Sequence, residues 1–243
     1  MKDVFTEIEG GAGSGLMLIA DHASNRVPDD IDLGVHPSVL DKHVAVDIGV
    51  DRLSELVAGT LECPAIIANI SRLVVDLHRE HDNPAATPVH SDGHHIPANA
   101  ALDEAARQAR IERFWHPYHG RAAEMIDTHG PDMLFTLHSF TPQLETRTHE
   151  DRPWHAGILY NRDDRAARVA IPKLEALGLH VGDNEPYSGK ELNATMDLHA
   201  EARGLPYLAI EVRNDLIADA EGARKWAELL APVIAETRDA LKK

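Results

Sequence analysis

The amino-acid sequence predicts a single α/β domain over residues 1–243, with a mostly parallel or mixed central sheet and helices on both faces. Three observations lead to that class. Continuous apolar runs of strand length, such as Leu16–Ala20 and Leu134–Leu137, match strands buried on both faces. Segments with apolar residues at helical spacing alternate with these runs, without linker, repeat or heptad pattern. The chain of 243 residues, 43% hydrophobic and 26% charged, is long enough to bury one substantial core.

In chain order, Leu16–Ala20 is the first strand and ends in Asp21-His22. Pro37–Lys42 reads as a short helical turn. Asp47–Glu62 reads as an amphipathic helix through Ile48, Val50, Leu53, Leu56, Val57 and Leu61. Asp47 stands at its head, where an N-cap or first-turn acid is the ordinary role. Ala65–Ile70 is a second strand and Leu73–Leu77 a further extended piece, with Arg72, Asp76, His78 and Arg79 around it. His81–Pro97 is a long proline-containing loop. Its His90, His94 and His95 are read as solvent-exposed in preference to a second metal site. Leu102–His129 is a long helical stretch broken near Trp115-His116-Pro117. Asp132–Leu137 is the strand that leads to His138. A polar loop over 141–153 carries Arg147 and Arg152 and precedes the strand Ala156–Tyr160. Helices follow at Arg162–Leu177 and Leu192–Arg203, each stopped by a glycine, with a turn-rich loop Asp183–Lys190 between them. The strand 207–212 carries Glu211, and Ala220–Leu241 closes the chain as an amphipathic helix.

Composition bounds the partners. A net charge of −16 argues against nucleic acid or an anionic membrane, although a local arginine cluster can still receive a small anion. No apolar run approaches the ~20 residues of a spanning helix, and the N-terminus lacks the apolar core of a signal peptide. With Cys63 the single cysteine, the expected compartment is the reducing cytoplasm.

Three apolar strands each deliver a ligating or acid/base group near their C-terminal ends: His22, His138 and Glu211. Ligands in α/β sheets bind at that edge, so parallel neighbouring strands would build a metallohydrolase site there. Hydrolytic zinc takes three protein ligands and leaves a position for water. His22 and His138 are two candidates. Asn25 is a poor zinc ligand, which leaves Asp47 as the best third, with Glu211 as the alternative. Arg72, Arg79 and Arg213 flank the site stretches and suit carboxylates or an oxyanion, against the plainer role of surface ion pairs. No G-x-S-x-G turn marks a serine hydrolase.

The motifs DHASNRVP, HVAVDIG, NISRLVVDLHRE, LFTLHSF, NEPYSG and LPYLAIEVRNDL, in this order, resemble the N-formylglutamate amidohydrolase family over roughly Leu16–Leu216. The resemblance implies a phosphorylase/hydrolase-like fold related to the zinc carboxypeptidases and aspartoacylases, with one Zn2+ per chain. It implies His138 as the second histidine ligand and Glu211 as general acid/base. Arg72 would polarise the scissile carbonyl, and Arg79, Arg213, His78 and Asn214 would contact substrate. Asn25 departs from the aspartoacylase glutamate ligand, and His78 from its asparagine. The implied substrate is a small anionic N-acyl amino acid, by default N-formyl-L-glutamate, cleaved to formate and L-glutamate. Another N-acyl amino acid deacylase, a small peptidase, or a binding protein that keeps the metal cleft without turnover are the alternatives.

Overall fold

The computed structural model describes residues 4–11 and 13–242; residues 1–3, 12 and 243 of the predicted 1–243 domain lie outside the described residues. In chain order the strands are β1 (Phe5–Ile8), β2 (Leu16–Ala20), β3 (Ala65–Ala68), β4 (His90–Ser91), β5 (His94–His95), β6 (Met133–Phe140), β7 (Ala156–Leu159), β8 (Val181–Asp183) and β9 (Tyr207–Arg213). The helices are α1 (Val50–Leu61), α2 (Pro97–Ala100), α3 (Glu104–Arg110), α4 (His116–His129), α5 (Arg165–Ala176), α6 (Ala194–His199) and α7 (Ala220–Leu241).

One seven-stranded sheet has the order β1-β3-β2-β6-β9-β7-β8, and β4 and β5 form a separate small hairpin. β3, β2, β6 and β9 run parallel, whereas β1 joins β3 and β7 joins β9 antiparallel. The sheet is therefore mixed, with a parallel centre whose C-terminal ends share one edge.

The apolar runs lack alternation because both faces of the sheet are covered. Side chains still alternate between faces. Met17 and Ile19 of β2 enter one core with Leu134 of β6 and Tyr207 and Ala209 of β9. Leu16, Leu18 and Ala20 enter the other with Phe135, Leu137, Leu208 and Ile210. The first core is closed by Tyr118, Ala122 and Met125 of α4 and by the 70–77 segment. The second is closed by Leu53 and Val57 of α1, Leu174 of α5, and Trp226 and Leu230 of α7. By the same alternation His138 and Glu211 project from the α4 face, at the C-terminal edge. Truncating one of these central Leu or Ile side chains to alanine costs about 2–5 kcal/mol, a large share of a typical domain's stability.

The structure departs from the sequence reading where local pattern is weak. β1 and β8 are short edge strands without an apolar run, and nothing local marks them. Leu73–Leu77 is buried but forms turns, held by Val74 N–H donating to Ser71 O and Asp76 N–H donating to Ala86 O. The predicted break near Trp115 is a π-helical turn, Ile111–Trp115, and Pro117 falls in the first turn of α4, where a missing N–H is tolerated. The predicted helix Leu192–Arg203 divides into α6 and a 3-10 turn, Glu201–Arg203.

α4 and α6 meet through two buried histidines. His119 Nε2 donates to the Leu77 carbonyl at 2.9 Å, so its Nδ1 accepts from His199 Nε2 at 2.9 Å. Burial pushes His119 down to about 3 and His199 down to about 4. Unfolding returns both rings toward 6.5. Below that pH the unfolded chain binds more protons than the folded one, so stability falls with pH until the folded rings protonate. The expected slope is up to about 1.4 kcal/mol per pH unit for each ring, read as a fall in urea midpoint between pH 7 and 5. A His199→Gln variant should flatten it, and an unchanged midpoint in the parent protein would contradict this.

Candidate active site

β2 and β6 end side by side, and β9 follows on the far side of β6, with His138 and Glu211 facing each other in register. The segment after β2 turns so that the Asp47 N–H donates to the His22 carbonyl at 2.9 Å. That bond brings to the sheet edge a carboxylate 25 residues downstream of His22. Two residues on, Gly49 packs against the segment after β9: its φ is 84°, and a Cβ there would lie 2.2 Å from the Ile217 carbonyl oxygen. Asp47 does not cap α1. The N-cap is Gly49, without a side-chain bond, and both Asp47 oxygens are committed to the site.

His22, Asp47 and His138 are all buried, with one ligand atom from each lying within 4.8 Å of the others. His22 Nδ1 is 3.6 Å from Asp47 Oδ2, and His138 Nδ1 is 3.0 Å from the same oxygen. A tetrahedral zinc with bonds near 2.0–2.1 Å spaces its donors by about 3.3 Å. His22 Nδ1 is buried without a hydrogen-bond partner, as is Glu211 Oε2 beside it. The ring's other nitrogen, Nε2, donates to Asp76 Oδ1 at 2.7 Å, which directs the Nδ1 lone pair inward. Asp21 Oδ2 stands 3.8 Å from His138 Nε2, the equivalent outer position for the second histidine. These residues fit a divalent metal. Asn25 takes no part, since its amide donates to Asp41 at 3.3 Å.

The electrostatics agree with a site arranged for positive charge. Burial and Arg72 push His22 down, but Asp76 and Asp47 outweigh them and raise it to about 9. Burial would raise Asp47 and Asp76, yet the facing histidines and Arg72 hold both well below the usual carboxylate range. Burial keeps His138 below its ordinary value, in the neutral form that ligates metal. Burial and the Asp47 charge push Glu211 up to about 8, despite His22, Arg72 and Arg152. A carboxyl poised near neutrality is suited to taking and returning a proton.

Arg72 spans two carboxylates, donating to Asp47 Oδ1 and to Asp76 Oδ2 at 3.1 Å each. His78 Nδ1 faces Asp21 Oδ2 at 2.9 Å, and the Thr195 hydroxyl donates to that same oxygen at 2.7 Å. Arg79 lies 3.9 Å from Asp76 Oδ2. A cavity of about 720 Å³ is lined by His22, Asp47, Arg72, His78, Arg79, His138 and Glu211. Arg213 and Asn214 are not among its lining residues. Arg213 Nε instead donates to Asp215 Oδ1 at 2.8 Å, an ion pair at the end of β9. Sequence reasoning missed Arg152 and Tyr187 as site residues, and both line this cavity. Arg152 showed locally only as an arginine in a polar loop, whereas Tyr187 stands within the NEPYSG motif. His94 pairs with Glu145 at 3.1 Å, while His90 and His95 stack on each other, and none of the three joins the candidate metal group.

A family model for N-formylglutamate amidohydrolase matches residues 14–218. The chain belongs to the N-formylglutamate amidohydrolase family. Among solved structures, the product of gene Atu2144 from Agrobacterium tumefaciens is 31% identical, covering 99% of this chain and 97% of that one, with a TM-score of 0.92. The N-formylglutamate amidohydrolase from Ralstonia eutropha JMP134 is 20% identical over 99% and 98%, with a TM-score of 0.71. At that identity the likeness shows the fold alone. Comparison with curated proteins finds no match. Amide hydrolysis is thus supported at the level of the N-formylglutamate amidohydrolase family, and the matched span contains His22, Asp47, Arg72, His138 and Glu211. Among the described residues, no helix is long and apolar enough to cross a membrane.

Proposed function

We propose that the chain is a zinc-dependent amidohydrolase that cleaves the linear amide of a small anionic N-acyl amino acid, with N-formyl-L-glutamate as substrate. The observation that carries this reading is the unpartnered His22 Nδ1 facing Asp47 and His138, next to the unpartnered Glu211 Oε2. His22, Asp47 and His138 would hold the ion. A divalent zinc there supplies Lewis-acid polarisation of the scissile carbonyl and lowers the pKa of water toward about 7.

The chain's own groups do the remaining work. Glu211 accepts a proton from the attacking water and delivers it to the leaving amine nitrogen. The guanidinium of Arg72, fixed by Asp47 and Asp76, donates to the carbonyl oxygen as it gains charge. Asp76 holds the His22 ring in its ligating tautomer through Nε2. Arg79 lies at the cavity wall, placed to receive a substrate carboxylate.

The test combines metal analysis with a panel of N-formyl, N-acetyl and N-succinyl amino acids, scored by released amine. Zinc near one equivalent, fastest release from N-formyl-L-glutamate, loss on chelation and recovery on adding zinc are expected. Hydrolysis that persists in the metal-free protein would overturn the metal role, and a preference for another acyl group would reassign the substrate. In the same assay Arg72→Met should lower kcat by about 10²-fold or more, the scale of a lost oxyanion donor.

A further inference from the structure

Arg152 is nine-tenths buried and lines the same cavity as the candidate metal group. Its Nη1 donates to the Tyr187 hydroxyl at 2.9 Å and to the Thr141 carbonyl at 3.4 Å, both uncharged. No Asp or Glu among the described residues pairs with it. Arg72, Arg79 and Arg213, by contrast, all lie within 4.0 Å of a carboxylate. A buried guanidinium without an anion is costly, and this chain carries a net charge of −16, so acidic partners are abundant. Withholding one here leaves Nε and Nη2, the edge that grips a carboxylate with two parallel hydrogen bonds, without a partner among the described residues.

Tyr187 completes the arrangement. Its ring lies under the Arg152 guanidinium, 4.8 Å from the carbon to the ring centroid. Because its oxygen accepts from Arg152, its own O–H remains free to donate. The Tyr187 loop is fastened to the sheet. A Cβ on Gly157 would lie 2.1 Å from the Glu185 carbonyl oxygen, and one on Gly182 would lie 2.3 Å from it. Asn184 Oδ1 also accepts from the N–H groups of Tyr160 at 2.9 Å and Gly189 at 3.0 Å.

The position decides the role. Arg152 lies four residues before β7, whose Gly157 pairs with Glu211, and its guanidinium reaches back to the carbonyl of Thr141, the residue after β6. Arg72 and Arg79 are held instead by Asp76, the carboxylate that pairs with His22. A ligand with its amide at Glu211 and two carboxylates would meet Arg152 as well as Arg72 and Arg79 in the lining of one cavity.

We propose that Arg152, with the Tyr187 hydroxyl, is a carboxylate subsite that holds one carboxylate of the leaving amino acid, an inference that rests on the N-acyl amino acid reading above. The α-carboxylate and the side-chain carboxylate share this chemistry, and the experiment separates them.

Glutarate binding to the zinc-loaded protein is measured by calorimetry, beside the neutral glutaric diamide. Arg152→Met is expected to weaken glutarate about 10- to 100-fold, the scale of a lost charge-assisted pair of hydrogen bonds. Zinc content should not change, and Tyr187→Phe should weaken glutarate about 3- to 10-fold. In turnover, Arg152→Met should raise KM for N-formyl-L-glutamate far more than it lowers kcat. It should leave KM unchanged for whichever monoamide lacks the carboxylate it binds: N-formyl-L-glutamine marks the side-chain carboxylate, and N-formyl-L-isoglutamine the α-carboxylate. If Arg152→Met does not fold, Arg152→Lys decides, since it keeps the charge, loses the fork and should weaken glutarate about tenfold. Wild-type affinity for glutarate in the folded Arg152 variant, or equal affinity of the parent for glutarate and the diamide, would overturn the subsite. A parent that binds glutarate through Arg152 yet hydrolyses no N-acyl amino acid would keep the anion subsite and reject the reaction.

Discussion

Glu211→Gln is expected to keep its zinc and lose about 10²–10⁴ in kcat, the usual contribution of a general acid/base. The substitution preserves size and one oxygen while removing the proton acceptor. Glu211 faces His138 across β6 and β9, and its Oε2 is buried without a partner. It is nevertheless absent from both sets of residues whose ligand atoms cluster closely enough to hold an ion, His22 with Asp47 and His138, and Asp21 with His78 and His138. Zinc is measured by metal analysis and kcat under saturating substrate. A Glu211→Gln protein that comes out of purification without zinc would make Glu211 a ligand and remove its assignment as base.

His22→Ala and His138→Ala should each lose metal and activity together, since either leaves only two protein donors. Asp47→Asn should weaken zinc and regain part of its activity in excess metal, because an amide oxygen is a poorer ligand than a carboxylate. Asp47 also receives Arg72 and the Ser139 N–H, so its loss loosens the oxyanion donor as well. A second readout does not depend on turnover. With His22 raised to about 9 by Asp76 and Asp47 against burial and Arg72, metal-free protein at pH 7 carries a proton on that ring. Zinc uptake should therefore release at least one proton, measurable in weakly buffered solution with an indicator dye. Full zinc occupancy in both histidine variants would return these residues to a structural role.

The legible part of this protein lay where one stretch of chain supplies both the fold signal and the chemistry. LMLIADH, LFTLHSF and YLAIEVR each write a buried strand and its functional terminus in a handful of residues, and β2, β6 and β9 formed as neighbours with those ends together. Edge strands β1 and β8 were not legible, because half-exposed short strands carry little apolar pattern. Arg213 illustrates a different limit. Period-2 alternation places it on the face of Glu211, but at the strand end Asp215, two residues on, captures the side chain. Local periodicity ceases to direct a side chain once the strand has ended.

The sequence by itself determined the α/β class, the parallel centre and the identity of His22, His138 and Glu211 as a converging set, because those depend on burial patterns a few residues long. The sequence already preferred Asp47 to Asn25, but only the tertiary structure put the ligand atoms of Asp47, and not those of Glu211, close to those of His22 and His138. The Asp47 N–H bond to the His22 carbonyl holds that carboxylate at the sheet edge. Only the tertiary structure, again, exchanged Arg213 for Arg152 in the cavity wall. Both outcomes depend on loops brought back to the sheet edge by contacts between residues far apart in the chain, and no local spacing encodes where such loops come to rest.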